Sequence, residues 1–300
     1  MKFTVDYPVV VAGYDPALVT AAGMIRVAQV IENSGYNAIA FSEHPAPSQK
    51  WLNAGGHQSL HQTSALAFCA AVTSRLTLMP YLMVVPYHSP FLAAKALATL
   101  DLLSGGRVIV VAGTGYLRSE FRALNVDFEQ RNDIFDEALQ VMRGVWTEVP
   151  FDHEGKHFRA MGVASLPGPA QQGGPPVLVG GNSALSRSRA ARLQGWSPLM
   201  VSAEVAKTSR TPGISSIDEL ATRIRQVRAS AAELGAASTT IQVHTPEVGF
   251  MQRPGSVEEH RDHLGRLAEA GVDSFVVRPP ADTIEYTVEA LQQYAETFVG

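Results

Sequence analysis

The stretch from Leu76 to Phe121, LTLMPYLMVVPYHSPFLAAKALATLDLLSGGRVIVVAGTGYLRSEF, constrains the fold more than any other part of the chain. Leu76 to Val85 reads as a buried strand and Pro86 to Pro90 as a turn. The residues that follow read as a helix with apolar positions every three to four residues. Ser104, Gly105 and Gly106 stop that helix, and a second all-apolar strand, Val108 to Ala112, runs into a Gly-Thr-Gly loop. Continuous apolar runs suit strands covered on both faces, and the helix between them is the crossover that parallel strands require. Such a unit is one turn of a β/α repeat, and its polar, glycine-bearing loop stands where these folds keep their chemistry.

The unit recurs along the chain. Further strands are expected at Phe3 to Tyr7, Ala38 to Phe41, Val177 to Val179, Gly195 to Pro198, Ile241 to His244 and Ser274 to Val277. Helices are expected at Thr20 to Asn33, Thr63 to Thr73, Asn132 to Trp146, Ala184 to Leu193, Ile217 to Leu234, Val257 to Glu269 and Thr283 to Thr297. Eight strands alternating with helices predict an α/β fold closed as a (β/α)8 TIM barrel. An open Rossmann sheet would carry a glycine fingerprint after the first strand, where only Gly13 stands. A length of 300 residues with 46% hydrophobic content suffices for one large core, so residues 1–300 read as a single domain. Two departures are expected: an excursion at 147–174, where PFDHEGKHFRAMG suggests a small hairpin outside the main sheet, and a mobile loop near 201–215. The aperiodic loop Ala46 to Leu60, with Trp51 and the pair Gly55-Gly56, is long enough to be functional, and a second loop runs from Thr114 to Gln130.

A net charge of -4 and a pI near 6.1 supply no basic field for nucleic acid or an anionic membrane, which points to small-molecule chemistry. The single cysteine, Cys69, excludes an internal disulfide and reads as a buried core thiol. No charged leader precedes a long apolar segment, so neither signal peptide nor membrane span is expected, and the expected location is the cytoplasm.

Two segments carry candidate chemistry. VLVGGNSALSRSRAA has the form of a phosphate-binding helix start, in which Gly180 and Gly181 allow a close turn, Asn182 or Ser183 caps, and Arg187 and Arg189 follow. The same residues also suit a capped turn with glycines for backbone fit alone. His44, beside Glu43 at the end of the second strand, is placed for acid/base work, or else is a histidine hydrogen-bonded within its loop. His57, His61 and His88 lack metal-ligand spacing, so no metal is expected. Asp136 and Glu137, on a helix, read as a solvated face.

The segments GYNAIAFSEHPAPS, LSGGR followed by VVAGTGYLRSEFRALNVDFEQR, and PPVLVGGNS, in that order, resemble the bacterial luciferase-like oxidoreductases. They are most similar to the actinobacterial branch that uses the deazaflavin coenzyme F420, and the resemblance runs from Phe3 to about Pro198. It implies a barrel with a region inserted after the fourth β/α unit. It assigns the coenzyme phosphate to Gly181, Asn182, Ser183 and Thr114, with Arg131 either assisting or merely solvated, and makes Gly113 and Gly115 small so that the ring and its side chain can approach. It implies a bulge at the end of the third strand, beside Pro80, with a cis peptide at Tyr81–Leu82 supporting the ring, and it adds Glu43 and Tyr116 to the residues around the coenzyme. His44 would lie at the coenzyme face and handle the proton, and Trp51 would wall the substrate cavity. Gly113 stands where luciferases carry a reactive cysteine, and Tyr116 where sugar-phosphate F420 dehydrogenases carry an acidic residue. The expected function is hydride transfer between F420 and a small organic substrate. The alternatives are a reduced-FMN-dependent monooxygenase on the same scaffold, or a non-catalytic protein that binds flavin or F420. The resemblance further implies a separate F420 or flavin reductase system and a homodimer.

Overall fold

The structure is a computed structural model that describes residues 1–201, 206–207, 211–236, 239–246 and 256–300. Eight parallel strands close into one ring in the order β1 (Lys2–Asp6), β10 (Ser274–Val277), β9 (Thr240–Val243), β8 (Gly195–Ser197), β7 (Val177–Gly180), β4 (Val110–Gly113), β3 (Thr77–Val84) and β2 (Ala38–Phe41). Every strand read from the sequence is present, and the ring is the (β/α)8 barrel that their alternation with helices predicts.

Which side chains face the inside of the ring follows from bonds that cross it. Thr4 on β1 donates to Gln242 Oε1 on β9, two strands away, and Gln242 donates to the Met79 sulfur on the far side, on β3. Thr4 also meets the Ser274 hydroxyl on β10 at 3.2 Å. Strand side chains alternate with a period of two, so Asp6, Tyr81, His244 and Arg278 occupy the same phase one layer nearer the C-terminal mouth.

The central helix, α4 (Pro90–Ser104), ends on Gly105 in the left-handed conformation (φ 69°), which glycine adopts without the Cβ penalty. Next in the LSGGR motif, Arg107 donates from Nε to the Ser104 carbonyl, from Nη1 to Leu76 O and Thr73 Oγ1, and from Nη2 to the Ala70 and Thr73 carbonyls. It thereby ties the helix Gln62–Val72, the start of β3 and the end of α4 into one base. Cys69 is buried in that helix, and burial pushes its thiol up to about 12.

The excursion is a hairpin of β5 (Phe151–Glu154) and β6 (Arg159–Val163), paired only with each other. It is held by Glu137, which was read from the sequence with Asp136 as a solvated face; that reading is corrected for Glu137, while the Asp136 side chain is 54% exposed. Glu137 accepts from the His157 and Phe158 backbone N–H groups, while Asp136 takes both Nε and Nη2 of the buried Arg189 at 2.7 Å. Helical periodicity marks these carboxylates as outward-facing but does not show what packs outside them. Both long loops contain a short helix, Gln49–Asn53 and Arg118–Ala123, the first started by Ser48 Oγ accepting from Trp51 N. The loop expected near 201–215 falls partly on residues 202–205 and 208–210, which lie outside the described residues. Among the described residues no helix is long and apolar enough to cross a membrane.

Candidate active site

At the C-terminal mouth, β3 carries a cis peptide at Tyr81–Leu82, the bond expected from the resemblance, and its register against β4 shifts there. Buried Gln62 pins the bulge, donating from Nε2 to the carbonyls of Phe41 at 2.7 Å and Leu82 at 3.1 Å. Glu43 supports it from the other side: Val84 N donates to Oε2 at 2.6 Å and His88 Nε2 meets Oε1 at 2.8 Å. Glu43 is thus a brace beneath the bulge. Buried Pro80 lies beside Phe41 in the ladder.

Leu82 explains two glycines. A Cβ on Gly113 would come within 2.5 Å of Leu82 Cδ1, and one on Gly180 within 2.7 Å of Leu82 Cδ2. The space left at 113 and 180 is therefore taken by a protein side chain, and at 115 by Val84 and Phe121, whereas Gly113 and Gly115 were expected to make room for the ring. Thr114 lies between them at the strand end, half-buried.

His44 stands three residues past β2. Its Nδ1 lies 3.0 Å from Glu120 Oε2, the Glu120 side chain is fully buried, and the His44 side chain is 9% exposed. Glu120 also accepts from Ala46 N at 3.1 Å and from the Tyr87 hydroxyl at 3.1 Å. Since a carboxylate only accepts, His44 Nδ1 carries the proton of this bond, and in the neutral ring the lone pair is then on Nε2. Trp51 lies 4.5 Å from the His44 ring, centroid to centroid, because the helix Gln49–Asn53 folds the loop back. His57 meets the same ring edge-on at 4.8 Å, and Tyr116 approaches at 6.1 Å. Burial, assisted by Arg278 and His44, lowers His57 to about 4, so it is neutral near pH 7. Burial and then the Glu120 charge raise the Tyr116 phenol to about 12, which keeps it a donor.

At the expected phosphate loop, Ser183 caps α7 (Ala184–Ala191), accepting from Ser186 N at 3.0 Å. Asn182 is fully buried and occupied within the protein: Nδ2 donates to the Leu199 and Pro212 carbonyls, Oδ1 accepts from Leu199 N, and its own N–H donates to Thr211. It fixes the loop and has no donor left for a phosphate. Gly181 (φ 96°) turns the chain, and its carbonyl accepts from Trp196. Arg187 donates to the Asn182 carbonyl at 2.8 Å and lines a groove of about 580 Å³ together with Arg223. Burial, then the Arg223 charge, depresses the Arg187 pKa; Arg223 is itself paired with Glu219, and Asp218 also lines the groove. Arg189 turns away to Asp136, and Arg131 stacks on Phe128, 3.9 Å from its centroid.

The structure therefore brings His44, Trp51, Tyr116 and the β3 bulge to one mouth. Sequence reasoning missed Glu120, Gln62 and His57. The first belongs to the quoted GTGYLRSEF segment, and a carboxylate one helical turn past Tyr116 was its only signal.

The model of the luciferase-like monooxygenase family matches residues 1–247. An FMNH(2)-dependent dimethylsulfone monooxygenase of Pseudomonas putida is 31% identical over 176 residues, which is 57% of this chain and 46% of that enzyme. An F420-dependent glucose-6-phosphate dehydrogenase of Nocardia farcinica is 28% identical over 177 residues, 56% of this chain and 50% of that enzyme. The chain thus spans about half the length of these two relatives. The crystal structure of monooxygenase RslO1 from Streptomyces bottropensis superimposes with a TM-score of 0.80 over 100% of this chain and 99% of that one, and at 21% identity this likeness concerns the fold alone. With relatives in both the F420-dependent and the FMNH2-dependent branches and the family model matched over most of its length, the chain belongs to the bacterial luciferase-like monooxygenase family.

Proposed function

We propose that the protein is a reduced-FMN-dependent monooxygenase acting on a small organic substrate. The observation that carries this reading is the His44–Glu120 pair, closed over by Trp51, beside the braced bulge of β3. The residues fit a flavin: an apolar wall on one side of the mouth, a capped helix start with Arg187 for the phosphate, and unpartnered buried polar atoms on the floor. Reduced flavin, when bound, supplies two electrons and the carbon at which dioxygen is activated. The chain's own residues do the rest. Ser183, the N-terminal N–H groups of α7, Thr114 and Arg187 hold the phosphate, and Tyr81 and Leu82 support the ring from behind. Glu120 holds His44 in the tautomer whose Nε2 takes up or delivers the proton, while Trp51, His57 and Tyr116 keep water from that nitrogen.

The choice of FMN over the F420 expected from the sequence is supported by the 31% identity to the dimethylsulfone monooxygenase and by a neutral Tyr116 where the sugar-phosphate F420 dehydrogenases carry an acid. Hydride transfer with F420 is the second reading, favoured by the FSEHPAPS segment and the 28% identity to the Nocardia enzyme. The fate of oxygen separates them. With FMN, NADH and a separate flavin reductase, adding a sulfone from a panel that begins with dimethyl sulfone is expected to give an oxygenated product and less hydrogen peroxide per oxygen consumed than the reductase blank. Turnover with reduced F420 that needs no oxygen would replace this reading with the second.

A further inference from the structure

The two halves of the barrel mouth differ in chemistry. Under β2, β3, β4 and β7 the inward side chains are Ala40, Met79, Val111 and Leu178, with Leu82 and the ring of Tyr81 packed on them; Met79 is level with Gln242, and the Tyr81 phenol stands nearer the mouth, beside Ser197. Under β8, β9, β10 and β1 they are Ser197, His244, Arg278 and Asp6. The polar groups one layer deeper, Thr4, Gln242 and Ser274, are all hydrogen-bonded to one another or to Met79. At the mouth they are not: Asp6 Oδ1 and both ring nitrogens of His244 are buried with no partner among the described residues, in residues 0% and 4% exposed, while the Ser197 hydroxyl lies beside the Tyr81 phenol. Buried polar groups are rarely left so, which marks this layer as the floor of a binding site.

The pattern of open atoms is specific. Arg278 Nε donates to Asp6 Oδ2 at 2.9 Å, and no other bond joins them, so Asp6 Oδ1 still needs a donor. The Nη groups of Arg278 donate to nothing among the described residues, and the side chain is 35% exposed, so the guanidinium that Asp6 holds through Nε keeps free donors at the mouth. The ion pair is neutral overall, so a full anion would leave an uncompensated charge in a buried place. A neutral edge with a carbonyl beside an N–H satisfies both partners.

Resting on the flavin reading above, we propose that Asp6 and Arg278 recognise the pyrimidine edge of the bound ring, Asp6 Oδ1 accepting from the ring N3–H and an Arg278 Nη group donating to the adjacent carbonyl. The apolar half of the mouth then takes the rest of the ring against the β3 bulge. A carboxylate acceptor at N3 and a cation at the carbonyl orient the ring in the plane of the mouth, so the pair acts as a positioning element.

The test is a comparison of two ligands by fluorescence titration, FMN and N3-methyl-FMN, in which the donor is replaced by a methyl group. The wild type is expected to bind N3-methyl-FMN at least 30-fold more weakly than FMN, and Asp6→Ala, which removes the acceptor and makes room for the methyl group, is expected to bring the ratio below threefold. If Asp6→Ala does not fold, the isosteric Asp6→Asn is expected to lower the ratio at least fivefold. Equal binding of the two ligands by the wild type, or a penalty unchanged in the Asp6 variants, overturns the proposal and leaves the flavin reading standing. Failure of both ligands to bind overturns both.

Discussion

Replacing Glu120 with glutamine changes one oxygen for an NH2 group at the best-connected buried side chain of the site. In the wild type, Oε1 accepts from Ala46 N, and Oε2 accepts from His44 Nδ1 and the Tyr87 hydroxyl. The glutamine oxygen can keep the Ala46 bond. Its NH2 group then faces His44 Nδ1, which must give up its proton and accept, while the Tyr87 hydroxyl accepts in turn. The shape is conserved and every bond can be rebuilt, so the cost is the exchange of three charge-assisted bonds for neutral ones, about 1 kcal/mol each and ~3 kcal/mol in all. The chemical consequence is larger. His44 Nε2 changes from lone pair to N–H, and turnover is expected to fall ~100-fold or more. Nitrogen-detected NMR of the histidine rings checks the tautomer, and urea unfolding checks the stability. A Glu120→Gln protein whose His44 Nε2 stays bare, or one that turns over at the wild-type rate, would refute the role given to this pair.

Gly113→Cys, which introduces the luciferase-like residue, is expected to cost ~1–3 kcal/mol in urea unfolding because its Cβ meets Leu82. Leu82→Ala in the same chain should recover most of it, and additivity of the two changes would contradict the packing described. Arg107→Lys loses most of the bonds to Ser104, Ala70, Thr73 and Leu76 and is expected to lower stability by ~2 kcal/mol while changing the FMN dissociation constant less than twofold. His57 and His244 are held neutral by burial, so their folded pKa values lie below the ordinary 6.5. As pH falls below 6.5 the unfolded chain takes up protons that the folded chain refuses, and stability falls. For His57 that loss is complete only below about 4, and His57→Gln should flatten the decline between those values in pH-dependent melting.

The barrel was legible because its signal is local: four to eight apolar residues, a glycine or capped turn, then a helix. The hairpin was legible from its proline, glycine and histidine content, and the cis bond at Tyr81–Leu82 only through the family resemblance. His44 could be found because it follows a strand end directly. Its partner could not, since Glu120 lies 76 residues downstream in a short helix and looks like any solvent-facing acid. Asp6 and Arg278, 272 residues apart, meet only because the ring closes between the first and last strands. Asn182 and Glu43 were expected around the coenzyme, but sequence could not show that their hydrogen-bonding groups are engaged within the protein, by Leu199, Pro212 and Thr211 and by Val84 and His88. Trp51 could be singled out in its loop, but its contact with His44 depends on the helix Gln49–Asn53, which the aperiodic sequence did not reveal.

The most direct test is an anaerobic titration of wild type and His44→Asn with reduced FMN and with F420 in one buffer. Reduced FMN is expected to bind at least tenfold more tightly than F420, and His44→Asn to retain FMN affinity within threefold while losing ~100-fold in the rate of oxygenated-product formation. Tighter binding of F420, or loss of FMN binding in a folded His44→Asn protein, would contradict the assignment of a reduced-flavin site with His44 as its proton-transfer group.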